Sequence, residues 1–119
     1  MTKILYYDIE TAPNLSYVWG QYQQDVIEHK REWYIMCVSY RWEHQKRTHV
    51  CSLVDFPKAY NKDPENDFHV VKKMWELFDE ADIVIAHNGD RFDMRKANAR
   101  FVYHDLGPPT PVKSVDTLK

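Results

Sequence analysis

The sequence predicts an α/β domain built on a mixed β-sheet, in which a three-stranded antiparallel meander precedes strands joined through helical crossovers. Three runs rich in apolar, aromatic and β-branched residues occupy the first half of the chain. Segments with helical spacing alternate with short β-branched runs in the second half. The 119 residues suffice for one domain with a hydrophobic core and are too few for two. We therefore predict that residues 1–119 belong to a single domain.

The meander is assigned to three runs in the first half of the chain. Its strands are predicted over Lys3–Asp8, Trp33–Trp42 and Lys46–Val54. The segment Pro13–Arg31 carries little periodicity and is predicted to be a long loop with a short helix from Gln23. Aromatic side chains of this loop either stack on nucleic-acid bases or pack over the sheet edge: Tyr17, Trp19 and Tyr22.

Helices and strands alternate in the second half. The breaker-rich segment Asp63–Asp67 is predicted to cap a helix over Phe68–Glu80. The apolar residues of that helix recur at helical spacing and are predicted to pack against the sheet: Phe68, Val71, Met74, Trp75, Leu77 and Phe78. A fourth strand is predicted over Asp82–Ala86 and a second helix over Arg91–Tyr103. The segment Gly107–Pro111 breaks that helix, and a fifth strand is predicted over Val112–Asp116. Because a sheet needs cover, we expect a further C-terminal helix beyond Lys119, missing here, so that the chain is the N-terminal portion of a longer domain.

Composition limits the kinds of partner. The net charge of -2 gives no global attraction to a polyanion, so a nucleic acid would be held by a local patch or through metal ions. Cys37 and Cys51 lack a close-spaced metal motif and follow no secretory signal, which predicts reduced thiols in a cytoplasmic protein. No apolar run approaches the length of a membrane span, so no membrane partner is expected.

Two acidic residues stand at the end of the first predicted strand. Asp8 and Glu10 alternate with Ile9, so their side chains project from the same face. Neighbouring carboxylates repel each other, and a divalent cation such as Mg²⁺ or Mn²⁺ relieves that repulsion. The alternative is ordinary turn chemistry, in which acids followed by Thr-Ala-Pro simply end a strand in solvent.

A second acidic segment follows the fourth predicted strand. Asp90 is placed at the N-cap of the next helix and Asp93 in its first turn, where the helix dipole alone favours acids. If the first and fourth strands are neighbours in the sheet, however, Asp93 faces the end of the first strand. It then completes a cluster of three carboxylates with Asp8 and Glu10.

These residues resemble a known superfamily. Asp8-Ile9-Glu10-Thr11 after a hydrophobic strand, with Asn88 and Phe92-Asp93 after a later one, is similar to the first two motifs of the DEDD 3′–5′ exonucleases. That superfamily has a ribonuclease H-like fold and includes the proofreading domains of family-B DNA polymerases. His87–Phe101 together with Ser114–Lys119 also resembles small exonuclease-like proteins of bacteriophages.

The resemblance implies roles for individual residues. Asp8 would be shared by two Mg²⁺ or Mn²⁺ ions, Glu10 would hold the ion that activates water, and Asp93 would help to hold the other. Asn88 would touch the substrate or orient the strand end, Phe92 would pack beneath the site, and Thr11 would offer its amide or hydroxyl to the terminal nucleotide. The implied partner is the single-stranded 3′ end of DNA.

The chain departs from the superfamily pattern after Asp93. The expected fourth acid lies on a later helix, four or five residues after a Tyr or His, and no such motif follows. Asp116 is interpreted as the cap of a following helix in preference to a metal ligand. Lys96 and Arg100, near the helix face that carries Asp93, either hold phosphates or belong to a solvated helix surface.

Two functions are consistent with these observations. The first is a metal-dependent 3′–5′ exonuclease acting on DNA, incomplete without a complementing C-terminal segment. The second is a catalytically inert domain that binds nucleic acid or protein. In either case an uncovered sheet face predicts self-association into a homo-oligomer.

Overall fold

A computed structural model describes residues 1–12, 33–87 and 93–117 in full, together with the backbone of residues 15–18 and 26–31. The strands are β1 (Ile4–Ala12), β2 (Leu15–Val18), β3 (Val26–Arg31), β4 (Tyr34–Trp42), β5 (His49–Ser52), β6 (Ile83–Ala86) and β7 (Lys113–Asp116). The helices are α1 (Pro57–Lys62), α2 (Phe68–Glu80) and α3 (Asp93–Tyr103), with a 3-10 turn over Leu53–Asp55.

Five strands form one mixed sheet in the order β5-β4-β1-β6-β7. β1 lies at its centre, antiparallel to β4 and parallel to β6, while β5 extends the antiparallel side and β7 the parallel side. The predicted α/β class, the antiparallel meander and the helical crossovers are confirmed. The carboxyl ends of β1, β6 and β7 consequently meet at one edge of the sheet, where α/β proteins place their ligands.

Both long helices pack on one face of the sheet. Leu5, Tyr7 and Ile9 of β1 are buried on that face, alternating with more exposed residues. Phe78 of α2 meets the ring of Tyr7 edge to face at 5.1 Å and that of Phe101 in α3 at 5.9 Å. The hydrophobic core therefore lies between the sheet and the two helices, and the alternate residues of β1 point to the opposite face.

The helix over Phe68–Glu80 and the fourth and fifth strands agree closely with the sequence prediction. The apolar stripe of α2 is buried at Val71, Met74, Leu77 and Phe78, as its spacing predicted. Within the described residues, the second predicted helix runs from Asp93 to Tyr103, and its predicted first turn at Arg91 lies outside them.

Three predictions about the first half were wrong, and a fourth lies partly outside the described residues. The first strand continues to Ala12, because its acidic end still pairs with β4. The predicted loop contains the antiparallel pair β2–β3, in which only Tyr17, Val18, Val26 and Ile27 have high β-propensity and the period is weak. The third strand is limited to His49–Ser52 and is followed by a 3-10 turn. The proposed helix start at Gln23 lies outside the described residues, whereas Val26–Arg31 is strand.

The short helix α1 was missed. Pro57 stands at its first position, where the fixed φ of proline and its lack of an N–H are tolerated. None of its six residues is buried, so the apolar period that reveals longer helices is absent. In the described part of the chain, no helix combines the length and the apolar character that crossing a bilayer requires.

Candidate functional site

The first two predicted site residues lie at the end of the central strand. Asp8 and Glu10 are exposed, while Tyr7, which precedes them, and Ile9, which lies between them, are buried in the core. This alternation confirms the prediction that both carboxylates project from the same face, and that face is the one opposite the helices.

The third predicted acid reaches the same strand from α3. Asp93 is the first described residue of that helix and is only 2% exposed. Its Oδ2 accepts a hydrogen bond from the backbone N–H of Ile9 at 3.3 Å, which joins the start of α3 to β1. β6 pairs with β1 only as far as Tyr6, so this side of β1 is open to α3 beyond that point.

Like charge surrounds Asp93. Burial raises the pKa of its carboxyl to about 6, with Asp8, Glu10 and Asp116 adding to the increase and the Ile9 amide opposing it. Asp8, Glu10 and Asp116 thus each act on the Asp93 carboxylate, and we call these four residues the acidic site: Asp8, Glu10, Asp93 and Asp116.

The sequence predicts that Asp116 caps a following helix, and such a helix would lie outside the described residues. Asp116 is the last residue of β7, 8% exposed and paired with Ala86 of β6. Asp116 ends β7 and Asp93 follows the end of β6, so both residues lie where neighbouring parallel strands end at the same sheet edge.

The donor set has the chemistry that Mg²⁺ and Mn²⁺ prefer, since all four side chains are carboxylates. The raised pKa of Asp93 means that its own carboxylate is disfavoured by burial and by the neighbouring acids. Among residues 1–12, 33–87 and 93–117, however, no three His, Cys, Asp or Glu side chains are grouped closely enough to hold an ion as they stand. Binding would require side-chain adjustment, which is open to Asp8 and Glu10 because they are exposed.

Cys37 lies directly opposite Glu10 in the register of β1 and β4. Burial raises the pKa of its thiol, and Glu10 and Asp8 raise it further, so the thiol is disfavoured as a nucleophile or thiolate ligand. Cys51 pairs with Val38, the neighbour of Cys37, and therefore points to the other sheet face. Both cysteines are free, as predicted, and the register does not bring them face to face.

Asp8 lines two shallow grooves on the sheet face opposite the helices. One, of about 420 Å³, is lined by Tyr6, Ile85, His87 and Thr117 among others. His87 Nδ1 and Thr117 Oγ1 lie 3.2 Å apart in its wall. The other, of about 290 Å³, is lined by Ser39, Arg41 and Thr48, with the Arg41 guanidinium 4.8 Å from the ring centre of Tyr6. These grooves place aromatic, hydroxyl and cationic groups beside the acidic site.

Only some of the residues predicted to contact nucleic acid are described by the structure. Thr11 is half-buried and lies directly beyond a register irregularity that follows Glu10. Asn88 and Phe92 lie outside the described residues, as do Trp19 and Tyr22, while the side chain of Tyr17 is also not described. The Lys96 ammonium lies 4.1 Å from the ring centre of Trp33. These contacts remain predictions.

The role predicted for Arg100 requires correction. Its side chain is buried, and its Nε and Nη2 donate to the Asp67 carboxylate at 2.8 and 2.7 Å. This ion pair replaces the predicted phosphate contact, because the guanidinium is directed into the protein. Asp67 itself was assigned to a capping segment, but its side chain makes no cap hydrogen bond, whereas the Asn66 side chain accepts from the Phe68 amide at 3.0 Å.

Comparison with known proteins gives a structural likeness without a sequence match. No known family model matches the chain, and no curated protein matches it in sequence. The structure is similar to that of the family B DNA polymerase from the hyperthermophilic archaeon Pyrobaculum calidifontis, with a TM-score of 0.65 and 13% sequence identity. The match covers 99% of this chain and 16% of the polymerase chain. At this identity the likeness establishes the fold alone.

Proposed function

We propose that the chain is a ribonuclease H-like domain with metal-dependent 3′–5′ exonuclease chemistry on single-stranded DNA ends. The observation that carries this proposal is the burial of Asp93 among three other carboxylates at the meeting point of three strand ends. Folding works against that repulsion, and such groupings are characteristic of functional sites. The likeness to a family B DNA polymerase supports the choice of a nucleic acid as substrate.

The four acids divide into two exposed and two buried positions. Asp8 and Glu10 are the exposed side chains that we expect to meet entering Mg²⁺ or Mn²⁺, while Asp93 and Asp116 offer fixed oxygens behind them. Two bound ions supply a hydroxide at neutral pH and neutralise the charge that develops on the phosphate and leaving oxygen. Asp116 is the proposed fourth acid in place of the later motif of the DEDD pattern.

The two grooves lined by Asp8 suit a single strand. The Tyr6 ring, with Arg41 against it, offers a stacking surface and a cation, and Thr117 and His87 offer hydrogen-bonding groups on the other side. Thr11, Asn88 and Phe92 keep the contacts that the sequence resemblance implies, near the terminal nucleotide. Lys96, above the Trp33 ring, provides a further cation along α3.

A nuclease assay tests the proposal directly. Single-stranded DNA labelled at its 5′ end should be shortened stepwise from the 3′ end in Mn²⁺, whereas EDTA should abolish the reaction. Asp8→Asn and Glu10→Gln should each reduce the rate at least a hundredfold. Glu76→Gln is the matched control, because Glu76 is an exposed acid on α2, against the opposite face of the sheet. Equal rates in Asp8→Asn and Glu76→Gln would reject catalysis at the acidic site.

An inert binding domain is the second candidate function. It is favoured by the absence, within the described residues, of a side-chain group already arranged for a metal ion. Calorimetric titration with Mn²⁺ separates the two candidates, because only the exonuclease requires binding that Asp8→Asn removes. Light scattering at tens of micromolar tests the associated prediction of a homo-oligomer, and a clean monomer would contradict it.

A further inference from the structure

Asp67 lies outside the acidic site, yet its carboxylate joins the elements on which the site residues stand. The side chain is fully buried, with 0% exposure. Its oxygens accept hydrogen bonds from the Ile35 backbone N–H at 2.8 Å and from the Arg100 guanidinium at 2.7 and 2.8 Å. His104 Nε2 also contacts Oδ1. One carboxylate therefore ties the beginning of β4 to α3.

The bond to Ile35 is made at a bulge that adjoins Glu10. Glu10 pairs with Cys37, but the next residue of β1, Thr11, pairs with Ile35, so that Met36 is the extra residue of β4. A bulge of this kind bends the strand and redirects the side chains beside it. By holding the Ile35 amide, Asp67 fixes the bulge and with it the direction of Glu10.

The bond to Arg100 is made on the helix that carries Asp93. Seven residues separate the two positions, which is close to two helical turns, so they lie on the same side of α3 about 10 Å apart. Both side chains are buried. The bidentate contact at Arg100 therefore restrains the rotation of the helix and its position along its own axis. These two restraints determine where Asp93 meets β1.

We propose that Asp67 is a positioning residue of the acidic site, which sets Glu10 and Asp93 relative to each other. The connections form a closed ring. It runs from β1 across the bulge to Ile35, through Asp67 to Arg100, along α3 to Asp93, and back to β1 at the Ile9 amide. The consequence for metal binding rests on the proposed function, whereas the mechanical role does not.

A purely structural role would lower stability without moving the site, so the test needs variants that separate the two effects. The double variant Asp67→Leu, Arg100→Met replaces the buried ion pair by apolar side chains, which avoids leaving one unpaired charge and removes the directional contacts. The Ile35 N–H loses its acceptor as well, so some loss of stability is expected. Arg100→Lys is the milder variant, because it keeps the charge and loses the bidentate geometry. Val70→Ala, a buried change in α2, is the control for destabilisation alone.

Two readouts decide the outcome. The first is hydrogen exchange of the Ile9 amide, which donates to Asp93, measured against the Val38 amide of the same sheet. The second is Mn²⁺ affinity by calorimetry. We expect the double variant to speed Ile9 exchange at least tenfold relative to Val38 and to weaken Mn²⁺ binding at least tenfold. Arg100→Lys should produce smaller changes in the same direction, and Val70→Ala neither.

Failure of either proposal can be recognised separately. Unchanged Ile9 exchange relative to Val38 in a folded double variant, or in Arg100→Lys if the double variant does not fold, would overturn the positioning role. Wild-type protein that binds no Mn²⁺ would overturn the proposed function. Selective acceleration of Ile9 exchange in that case would still support the positioning role.

Discussion

Asp93 is a carboxylate that the fold keeps in an unfavourable place. It is buried, it lies among three other acids, and its one described hydrogen bond comes from the Ile9 amide. Burial and like charge outweigh that bond, so the pKa rises from 3.8 to about 6. A group of this kind favours protonation or a bound cation, which is the physical link between the acidic site and metal chemistry.

Asp93 predicts how stability depends on pH in the absence of metal. A raised pKa means that the folded state binds the proton more tightly, so the stabilisation is complete below the ordinary value of 3.8 and is lost as pH rises through about 6. Asp93→Asn should therefore raise the free energy of unfolding near pH 7 by up to about 3 kcal/mol and flatten its slope between these values. Urea denaturation at several pH values in EDTA measures this change.

The control for that experiment is Asp82→Asn. Asp82 is an exposed acid that accepts a hydrogen bond from the Lys3 backbone at 2.7 Å, at the opposite end of the sheet from the acidic site. A slope equally steep in wild type and Asp93→Asn would contradict the account of Asp93. We also expect Asp93→Asn to lose Mn²⁺ binding while gaining stability, because one charge causes both effects.

At the scale of elements, the ring of Phe78 joins α2 to the rest of the core. Phe78 is buried and meets Tyr7 of β1 and Phe101 of α3, so it links α2 both to the sheet and to the second long helix. Phe78→Ala should lower the free energy of unfolding by about 3–5 kcal/mol through lost burial and the cavity that remains. Thermal or urea denaturation measures it, and Val102→Ala, an exposed change in α3, should shift stability by less than about 0.5 kcal/mol.

The elements also show what the sequence can predict. α2 was predicted with its observed bounds because its apolar stripe is long and periodic. α1 has no buried residue and β2–β3 a weak period, so neither carries that signal. The places of Asp8, Glu10 and Asp93 beside strand ends could be predicted because strand ends are visible in the local sequence. Asp67 and the ion pair of Arg100 depend on packing between distant segments, which no local pattern reveals.

The whole molecule presents two unlike surfaces. α2 and α3 cover one face of the sheet, whereas Asp8, Glu10 and the two grooves lie on the other. Asp93 and Asp116 reach the same sheet edge from α3 and from the end of β7. The net charge of -2 means that long-range attraction does not bring DNA to the protein. Under the proposed function, DNA binding would therefore depend on bound metal ions and on a few cations close to the grooves, of which Arg41 lies against Tyr6.

Salt dependence tests this arrangement. With few phosphate contacts, the affinity for single-stranded DNA should fall with salt at a log–log slope no steeper than about -2, since each contact contributes about -0.7. Arg41→Ala should make the slope shallower by about 0.7, whereas Lys72→Ala, an exposed change on α2, should not alter it. Fluorescence anisotropy between 50 and 200 mM salt, roughly the range over which such slopes are resolved, measures both.

Replacing Mn²⁺ by EDTA should weaken binding at least tenfold at any one salt concentration, because the acidic site then repels the phosphates. A steep slope that Arg41→Ala leaves unchanged would place the DNA on another surface.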